Sequence, residues 1–126
     1  MSLTANMVSY IAANSTLTVD TDLFVAQIES DIPNKAVWVR EPLGSTENES
    51  GVEQRIIEIF AQDITFLLAE TLANEVYELL AHKKGFTGAL SSEDIFYCEP
   101  VGKPGVLMQD GKGRYVFLMS FMVRKK

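Results

Sequence analysis

The chain has 126 residues, of which 47% are hydrophobic and 22% charged, and its formal net charge is −6. This composition is typical of one globular domain and excludes an intrinsically disordered chain. The acidic balance and the scattered basic residues argue against tight binding to DNA, whereas an acidic wall lets a duplex slide past. No apolar run approaches the ~20 residues that a membrane-spanning helix needs.

The first part of the chain predicts one helix followed by strands. Apolar residues at helical spacing predict a short amphipathic helix over residues 4–13. Residues 23–28 alternate as in a strand that is apolar on both faces, although a helix capped by Asp20 or Asp22 also fits. A second strand is predicted over residues 36–41, which are rich in β-branched and aromatic side chains.

The stretch 43–51 is predicted to be a flexible loop, because it is polar and rich in residues that favour turns. Its acidic side chains are the local candidates for binding a hard cation, and a solvated acidic loop is the better explanation. The loop residues that we single out are Gly44, Glu47, Asn48, Glu49 and Gly51.

A strand over 54–61 and a long helix over 64–82 are predicted next. Apolar residues recur along the helix at three- and four-residue steps, as expected for a stripe that faces a core. Asp63 is predicted to cap the start of this helix, and the Lys-Lys-Gly segment 83–85 to end it. A loop over residues 86–94 would then lead to the next strand.

The end of the chain predicts strands over 95–101, 106–108 and 114–123, the last two joined by a turn at 110–113. Large apolar residues occupy both faces of the last strand. One face would carry Tyr115, Phe117, Met119, Phe121 and Val123, and the other Val116, Leu118 and Met122. Such a strand must be covered on both faces. Either the sheet folds over on itself or, as we prefer, a second subunit completes the burial.

Together these elements predict a single α+β domain over residues 1–126. A mixed, mainly antiparallel sheet of about four to five strands would carry two helices packed on one face. Trp38 lies within the strand over 36–41, where a core position is favoured over a role as an interface anchor.

The residue inventory predicts no catalytic site, no metal site and no cofactor. His82 is the only histidine, and near the predicted end of the long helix it would favourably meet the helix dipole. Cys98 is the only cysteine, which fits a reducing cytoplasm and a buried structural role. The glycine-lysine segments 102–105 and 111–114 join strands and lack the spacing of a phosphate-binding loop.

Several segments spread over residues 23–124 carry a family resemblance. They are Leu23-Phe24, Pro33, Ala36 to Glu41 with Gly44, Arg55 to Phe60, the long helix, Ile95 to Gly105, Gly113-Arg114-Tyr115 and Phe121. In this order they resemble the tail-terminator and minor-capsid (head–tail joining) proteins of long-tailed bacteriophages and prophages.

The resemblance implies a structural virion protein without an enzymatic site, assembled in the cytoplasm of the bacterial host. Such proteins form a homo-oligomeric ring, usually a hexamer, on the end of the tail tube. They stop tail polymerisation and join the tail to the neck or connector proteins of the head. The genome passes through the lumen of the ring, which an acidic balance would suit.

The resemblance also suggests where partners would bind. Arg40 and Arg55 lie on strands that can approach a neighbouring subunit in this kind of fold. The candidate interface residues are Trp38, Arg40, Arg55, Tyr115 and Phe117. The loop 43–51 would face a partner or the lumen.

Two other functions fit the same sequence. The chain could be another head–tail connector or minor capsid protein with a different docking site. Alternatively, it could be a small enzyme or ligand-binding domain, whose pocket would be lined by carboxylates and Trp38.

Overall fold

The described chain consists of eight strands and two helices with their connections. A computed structural model describes residues 3–25, 33–41, 46–47, 53–81, 83–86 and 95–125. In chain order its elements are helix α1 (Leu3–Ala13), strands β1 (Leu23–Val25), β2 (Ala36–Arg40), β3 (Thr46–Glu47) and β4 (Glu53–Asp63), helix α2 (Phe66–Leu80), and strands β5 (Lys83–Phe86), β6 (Ile95–Pro100), β7 (Gly105–Gln109) and β8 (Tyr115–Lys125).

The strands form one sheet with the order β1-β2-β4-β8-β6-β5, in which β3 also pairs with β4 and β7 with β8. β1 runs parallel to β2, and the other pairs are antiparallel. The predicted α+β fold with a mixed, mainly antiparallel sheet is therefore confirmed. The sheet has eight strands, more than the predicted four to five. β3 and β5, which no pattern predicted, are too short and polar to show an apolar pattern.

The long pair of β4 and β8 is the centre of the sheet, with partners in register from Glu53↔Lys125 to Asp63↔Tyr115. Both helices pack on one face of this sheet, as predicted. There they bury a core that includes Met7, Ile11, Leu23, Val39, Ile57, Ile59, Leu72, Val76, Met119, Phe121 and Val123.

The opposite face of the sheet carries a second, smaller apolar cluster. It contains Ala36, Trp38, Phe60 and Val116, with Phe24 and Leu118 packed against it. The rings of Trp38 and Phe60 stack at 5.2 Å with an interplanar angle of 9°. The prediction that β8 is apolar on both faces is thus confirmed. In the described chain, side chains of neighbouring strands cover much of this second face.

The long helix, Phe66–Leu80, ends within two residues of the predicted 64–82 on each side, but its caps differ from the predicted ones. α2 begins after the N-cap Thr65, whose hydroxyl accepts a hydrogen bond from the Leu68 N–H at 3.2 Å. Asp63 is instead the last residue of β4, and its carboxylate accepts from the Ile64 N–H. The segment 83–85 lies in β5 and pairs with β6, because backbone pairing with an adjacent strand outweighs the local preference for a helix end.

Several predicted segments lie partly outside the described residues. The predicted strand 23–28 is observed as a strand over Leu23–Val25. Its residues 26–28, most of the loop 43–51, His82 and residues 87–94 are not among those that the structure describes.

The turn between β7 and β8 depends on a left-handed glycine. The Gly113 N–H donates to the Asp110 carbonyl at 3.0 Å, and Gly113 has a φ of 82°. The Asp110 carboxylate accepts from the N–H groups of Lys112 and Arg114, both at 2.9 Å. These bonds fix the turn, and with it the position at which β7 meets β8.

Gly113→Ala is expected to lower the free energy of unfolding by about 1–2 kcal/mol, because a Cβ disfavours positive φ. A Cβ at Gly113 would meet only the Gln109 side chain, at 3.7 Å, so the cost is conformational and not steric. Gly111→Ala is the matched control, since a Cβ there meets nothing within 4 Å. Urea unfolding of both variants measures the difference, and equal values would contradict the assignment.

Candidate assembly surface

Exposed apolar side chains are concentrated in three places on the described chain. They belong to the residues next to or within β1, to the start of α2, and to the segment around β7. The side chains are Val19 and Val25; Ile64, Phe66, Leu67 and Leu68; and Val101, Val106, Leu107 and Met108. Clustered exposed apolar residues indicate interaction surfaces, whereas scattered ones do not.

β7 is exposed along its whole length. Its partners run from Gly105↔Leu118 to Gln109↔Tyr115, with a shift in register between Val106 and Met108. Among the described strands β7 pairs only with β8. Its other edge therefore presents backbone donors and acceptors of the kind that a strand of another chain can pair with.

The start of α2 packs against the part of β8 that pairs with β7. The ring of Phe66 packs against Tyr115 and Phe117, with centroid distances of 5.8 Å and 5.2 Å. Val106 is the cross-strand partner of Phe117, so both side chains lie on the same side of the sheet. Phe66 and Val106 thus flank Phe117. Met108 is the partner of Val116, whose side chain lies on the opposite face of the sheet. We call the exposed side chains of Phe66, Leu67, Val106, Leu107 and Met108, which lie on both sides of the β7 edge, the β7–α2 surface.

An open depression of about 340 Å³ adjoins this surface. It lies beside the segment that joins β6 to β7, where the Val101 N–H donates to the Ser120 carbonyl at 2.9 Å. Its lining is mainly apolar and includes Val101, Val106, Leu107 and Leu118. Such a lining suits an apolar side chain of a partner protein better than a polar substrate.

A buried ion pair holds the turn at the end of β7. Arg114 Nε donates to Asp110 Oδ2 at 2.7 Å, and the exposed fractions of the two side chains are 6% and 15%. Burial raises the pKa of the Asp110 carboxyl, but the hydrogen bonds from Arg114 and Lys112 outweigh it, so the pKa lies below its ordinary value of 3.8. The stability that Asp110 contributes is therefore present near neutral pH and lost as the pH falls through that lowered pKa.

Two of the predicted interface residues, Tyr115 and Phe117, lie beneath the β7–α2 surface. Phe117 is only 3% exposed, because Phe66 and the core cover it. Tyr115 is half-buried. These residues support the exposed side chains rather than forming the surface themselves.

The other predicted interface residues, Trp38, Arg40 and Arg55, lie on β2 and β4. Trp38 is buried against Phe60. The Arg40 side chain is 53% exposed, binds Glu58 at 2.8 Å and lies over the Phe60 ring at 5.0 Å.

Arg55 makes a two-pronged contact with a single carboxylate. Its Nε and Nη2 donate to the two carboxylate oxygens of Glu41, both at 2.6 Å. This geometry orients the guanidinium group more firmly than one hydrogen bond would. Arg55 is therefore held within its own chain.

Most of the predicted partner-facing loop lies outside the described residues, namely Gly44, Asn48, Glu49 and Gly51. Glu47 belongs to β3, and its backbone pairs with Glu53 of β4. Within the described ranges, no group of three or more His, Cys, Asp or Glu side chains could hold a metal ion. Neither described helix is long and apolar enough to cross a membrane.

Sequence reasoning missed the exposed side chains of the β7–α2 surface, although a signal for them was present. In 106–108 three large apolar residues follow one another without the alternation of a half-buried strand. In 66–68 the apolar run is wider than the stripe that α2 buries through Leu72 and Val76. Both runs exceed what one core-facing side can bury.

Comparison with known proteins places the chain in a family context. Residues 10–126 match a family model described as a bacteriophage tail terminator protein. The fold is similar to that of a chain in the virion of a native gene transfer agent particle, with a TM-score of 0.63 and 13% sequence identity. That match covers 92% of this chain and 83% of the other. No curated protein matches the sequence significantly.

Proposed function

Since the chain belongs to the bacteriophage tail terminator protein family and is thus a structural component of a virion, we propose that it forms a ring on the tail tube. The ring stops polymerisation of the tube and then joins the tail to the neck or connector proteins of the head. The chain acts by assembly and catalyses no reaction. Assembly takes place in the cytoplasm of the bacterial host.

The observation that carries this proposal is the β7–α2 surface. Its exposed side chains are large and apolar, and they lie beside a strand edge that can still pair. Exposed apolar area of this kind is unfavourable in water, even on an acidic chain with a net charge of −6. Another protein that covers it removes this area from water, and this stabilises the assembly.

The charge of the chain also suits a ring through which DNA travels. A lumen lined by acidic side chains repels the duplex and lets it pass without binding. The loop residues Gly44, Glu47, Asn48, Glu49 and Gly51 are proposed to face this lumen or a partner. Arg40, whose side chain is 53% exposed, is proposed to contact a neighbouring protein.

Tube growth in vitro tests the proposal. Tail tube protein from the same phage or prophage is polymerised with and without the chain, and tube lengths are measured by electron microscopy. We expect the chain to bind one end of each tube as a ring and to stop elongation. The Gly111→Ala variant is the control and should cap equally well, because the change meets nothing within 4 Å.

Two results would contradict the proposal. Tubes that elongate equally with and without the chain would show that it is not a terminator. Binding to connector proteins without any effect on the tubes would support the second function named above, that of another head–tail connector.

A further inference from the structure

We propose that the β7–α2 surface of one copy binds the β1 edge of the next copy, head to tail. The inference rests on the proposed function, because it names the contact that joins the subunits of the ring. The occupant of the surface is thus a second copy of this chain.

β7 and β1 are opposite edges of the same half of the sheet. The pairing registers form one continuous row across it, Leu23↔Val37↔Ala61↔Phe117↔Val106. Four strand spacings separate the two ends of this row, or about 19 Å. The two edges therefore face in opposite directions, which is the arrangement that a head-to-tail contact needs.

Both edges carry exposed apolar side chains. Leu107 and Met108 lie at the β7 edge, while Val19 and Val25 lie next to and within β1. Val25 pairs with Val39 of β2, and the backbone N–H of Asp20 donates to the Leu23 carbonyl at 2.8 Å. The 18–20 turn thus occupies part of the β1 backbone edge, so apolar side chains carry most of the contact there.

The charges around the two edges are complementary. Lys103 and Lys112 are exposed on either side of β7, and the charge of Asp110 is balanced by Arg114. Asp20 and Asp22 precede β1, where the exposed Lys35 before β2 offsets one of the two negative charges. The β7 edge is therefore positive and the β1 edge negative, although the chain as a whole is acidic.

The same charges disfavour an alternative, two-fold contact in which β7 of one copy pairs with β7 of another. In an antiparallel pair of β7 strands from two copies, Lys103 of each copy would approach Lys112 of the other. Like charges placed together in this way disfavour the contact. A head-to-tail contact uses two different surfaces and either closes into a ring or continues as a filament.

Two double variants, each of which blocks one of the two edges, test the inference. Leu107→Glu/Met108→Glu blocks the β7 edge, and Val19→Glu/Val25→Glu blocks the β1 edge. All four side chains are exposed, so both variants should unfold at nearly the wild-type temperature. Oligomer mass is measured by size-exclusion chromatography with light scattering, and capping is measured on tail tubes.

We expect each variant alone to be monomeric and unable to cap. An equal mixture should give a dimer of twice 14.0 kDa, because each variant keeps the edge that the other lacks. A β1-blocked variant that still dimerises alone would overturn the head-to-tail contact in favour of a two-fold one. Wild-type oligomer mass in both variants would overturn the inference altogether.

A charge variant gives an independent readout. Lys103→Glu should weaken self-association at least several-fold at low salt, and by less at high salt. Lys35→Glu makes the same charge change beside β1 and should not weaken it. Equal weakening by both changes would contradict the proposed pairing of edges.

The same measurements separate this inference from the proposed function. If the wild type caps tubes as a ring and both blocked variants also cap, the interface is wrong and the function stands. The wild type could instead be monomeric in solution but cap tubes. In that case, loss of capping in the blocked variants supports the interface, and unchanged capping overturns it. A wild type that neither self-associates nor caps overturns both.

Discussion

Phe121→Ala is expected to lower the free energy of unfolding by about 3–5 kcal/mol, the range for removing a fully buried aromatic ring. Phe121 is completely buried in the core. It lies in β8 opposite Ile57 of β4 and Pro100 of β6, and its ring is 6.0 Å from that of Tyr77 in α2. Its removal therefore leaves a cavity where three strands and a helix meet.

Phe66→Ala is the matched control, because it removes the same side chain from a position that is exposed. Phe66 still packs on Tyr115 and Phe117, so we expect less than half of the effect of Phe121→Ala. Urea unfolding followed by far-ultraviolet circular dichroism measures both. A loss at Phe66 as large as that at Phe121 would mean that the core lies nearer the start of α2.

An effect of this size decides whether the chain folds at all. Domains are stable by about 5–15 kcal/mol, so Phe121→Ala alone removes a large share. The exposed residues of the β7–α2 surface differ in kind, since Leu67 is 68% exposed and its side chain contributes little to folding. Substitutions there should affect assembly and leave unfolding nearly unchanged.

The sequence predicts those parts of the fold that depend on long, regular patterns. Large apolar residues on both faces of 114–123 predict a central strand, and β8 is central. The stripe through Leu72 and Val76 predicts α2 and the side that it buries. Apolar residues recur at every second position in β8 and at every third or fourth position in α2. The prediction of these elements therefore does not depend on any single residue.

Features that depend on a single residue or on tertiary pairing are not predictable in this way. Asp63 and Thr65 are both good N-caps, and the choice of Thr65 follows from the extension of β4 to Asp63 by pairing with Tyr115. β5 has no apolar alternation and exists because β6 is beside it. Neither fact is present in the local sequence.

The exposed residues of the candidate surface also depend on tertiary packing and not on a local pattern. Sequence reasoning selected Phe117 as a candidate interface residue, and it lies in the last strand, which is apolar on both faces and must be covered on both. Whether such a residue is exposed depends on what lies over it, and here Phe66 does. The exposure of Leu107 and Met108 likewise follows from the position of β7 at an edge of the sheet, which the order of strands alone determines.

Arg114→Ala is expected to lower the free energy of unfolding by about 3 kcal/mol, the lower end of the range for breaking a buried ion pair. The change leaves the Asp110 carboxylate, itself largely buried, with backbone hydrogen bonds alone. It also removes a long contact of 3.5 Å from Arg114 Nη1 to the Pro33 carbonyl, which still accepts from Gln62 at 3.2 Å.

Arg40→Ala is the control for burial, because Arg40 makes an equally short contact of 2.8 Å with Glu58 while its side chain is 53% exposed. Exposed ion pairs contribute about 0–1 kcal/mol, so the two arginines should differ by about 2 kcal/mol or more in urea unfolding. Asp110→Ala and the double variant complete a cycle that isolates the interaction between Asp110 and Arg114. Additive effects in that cycle would show that the ion pair does not stabilise the turn.

The Asp110–Arg114 pair also links folding to the proposed contact between copies. The turn that it holds fixes the end of β7, which carries Leu107 and Met108. Loosening the turn should therefore weaken self-association in Arg114→Ala molecules that are still folded. If self-association is unchanged in folded Arg114→Ala, the position of β7 does not depend on this turn, and its pairing with β8 alone orients the surface.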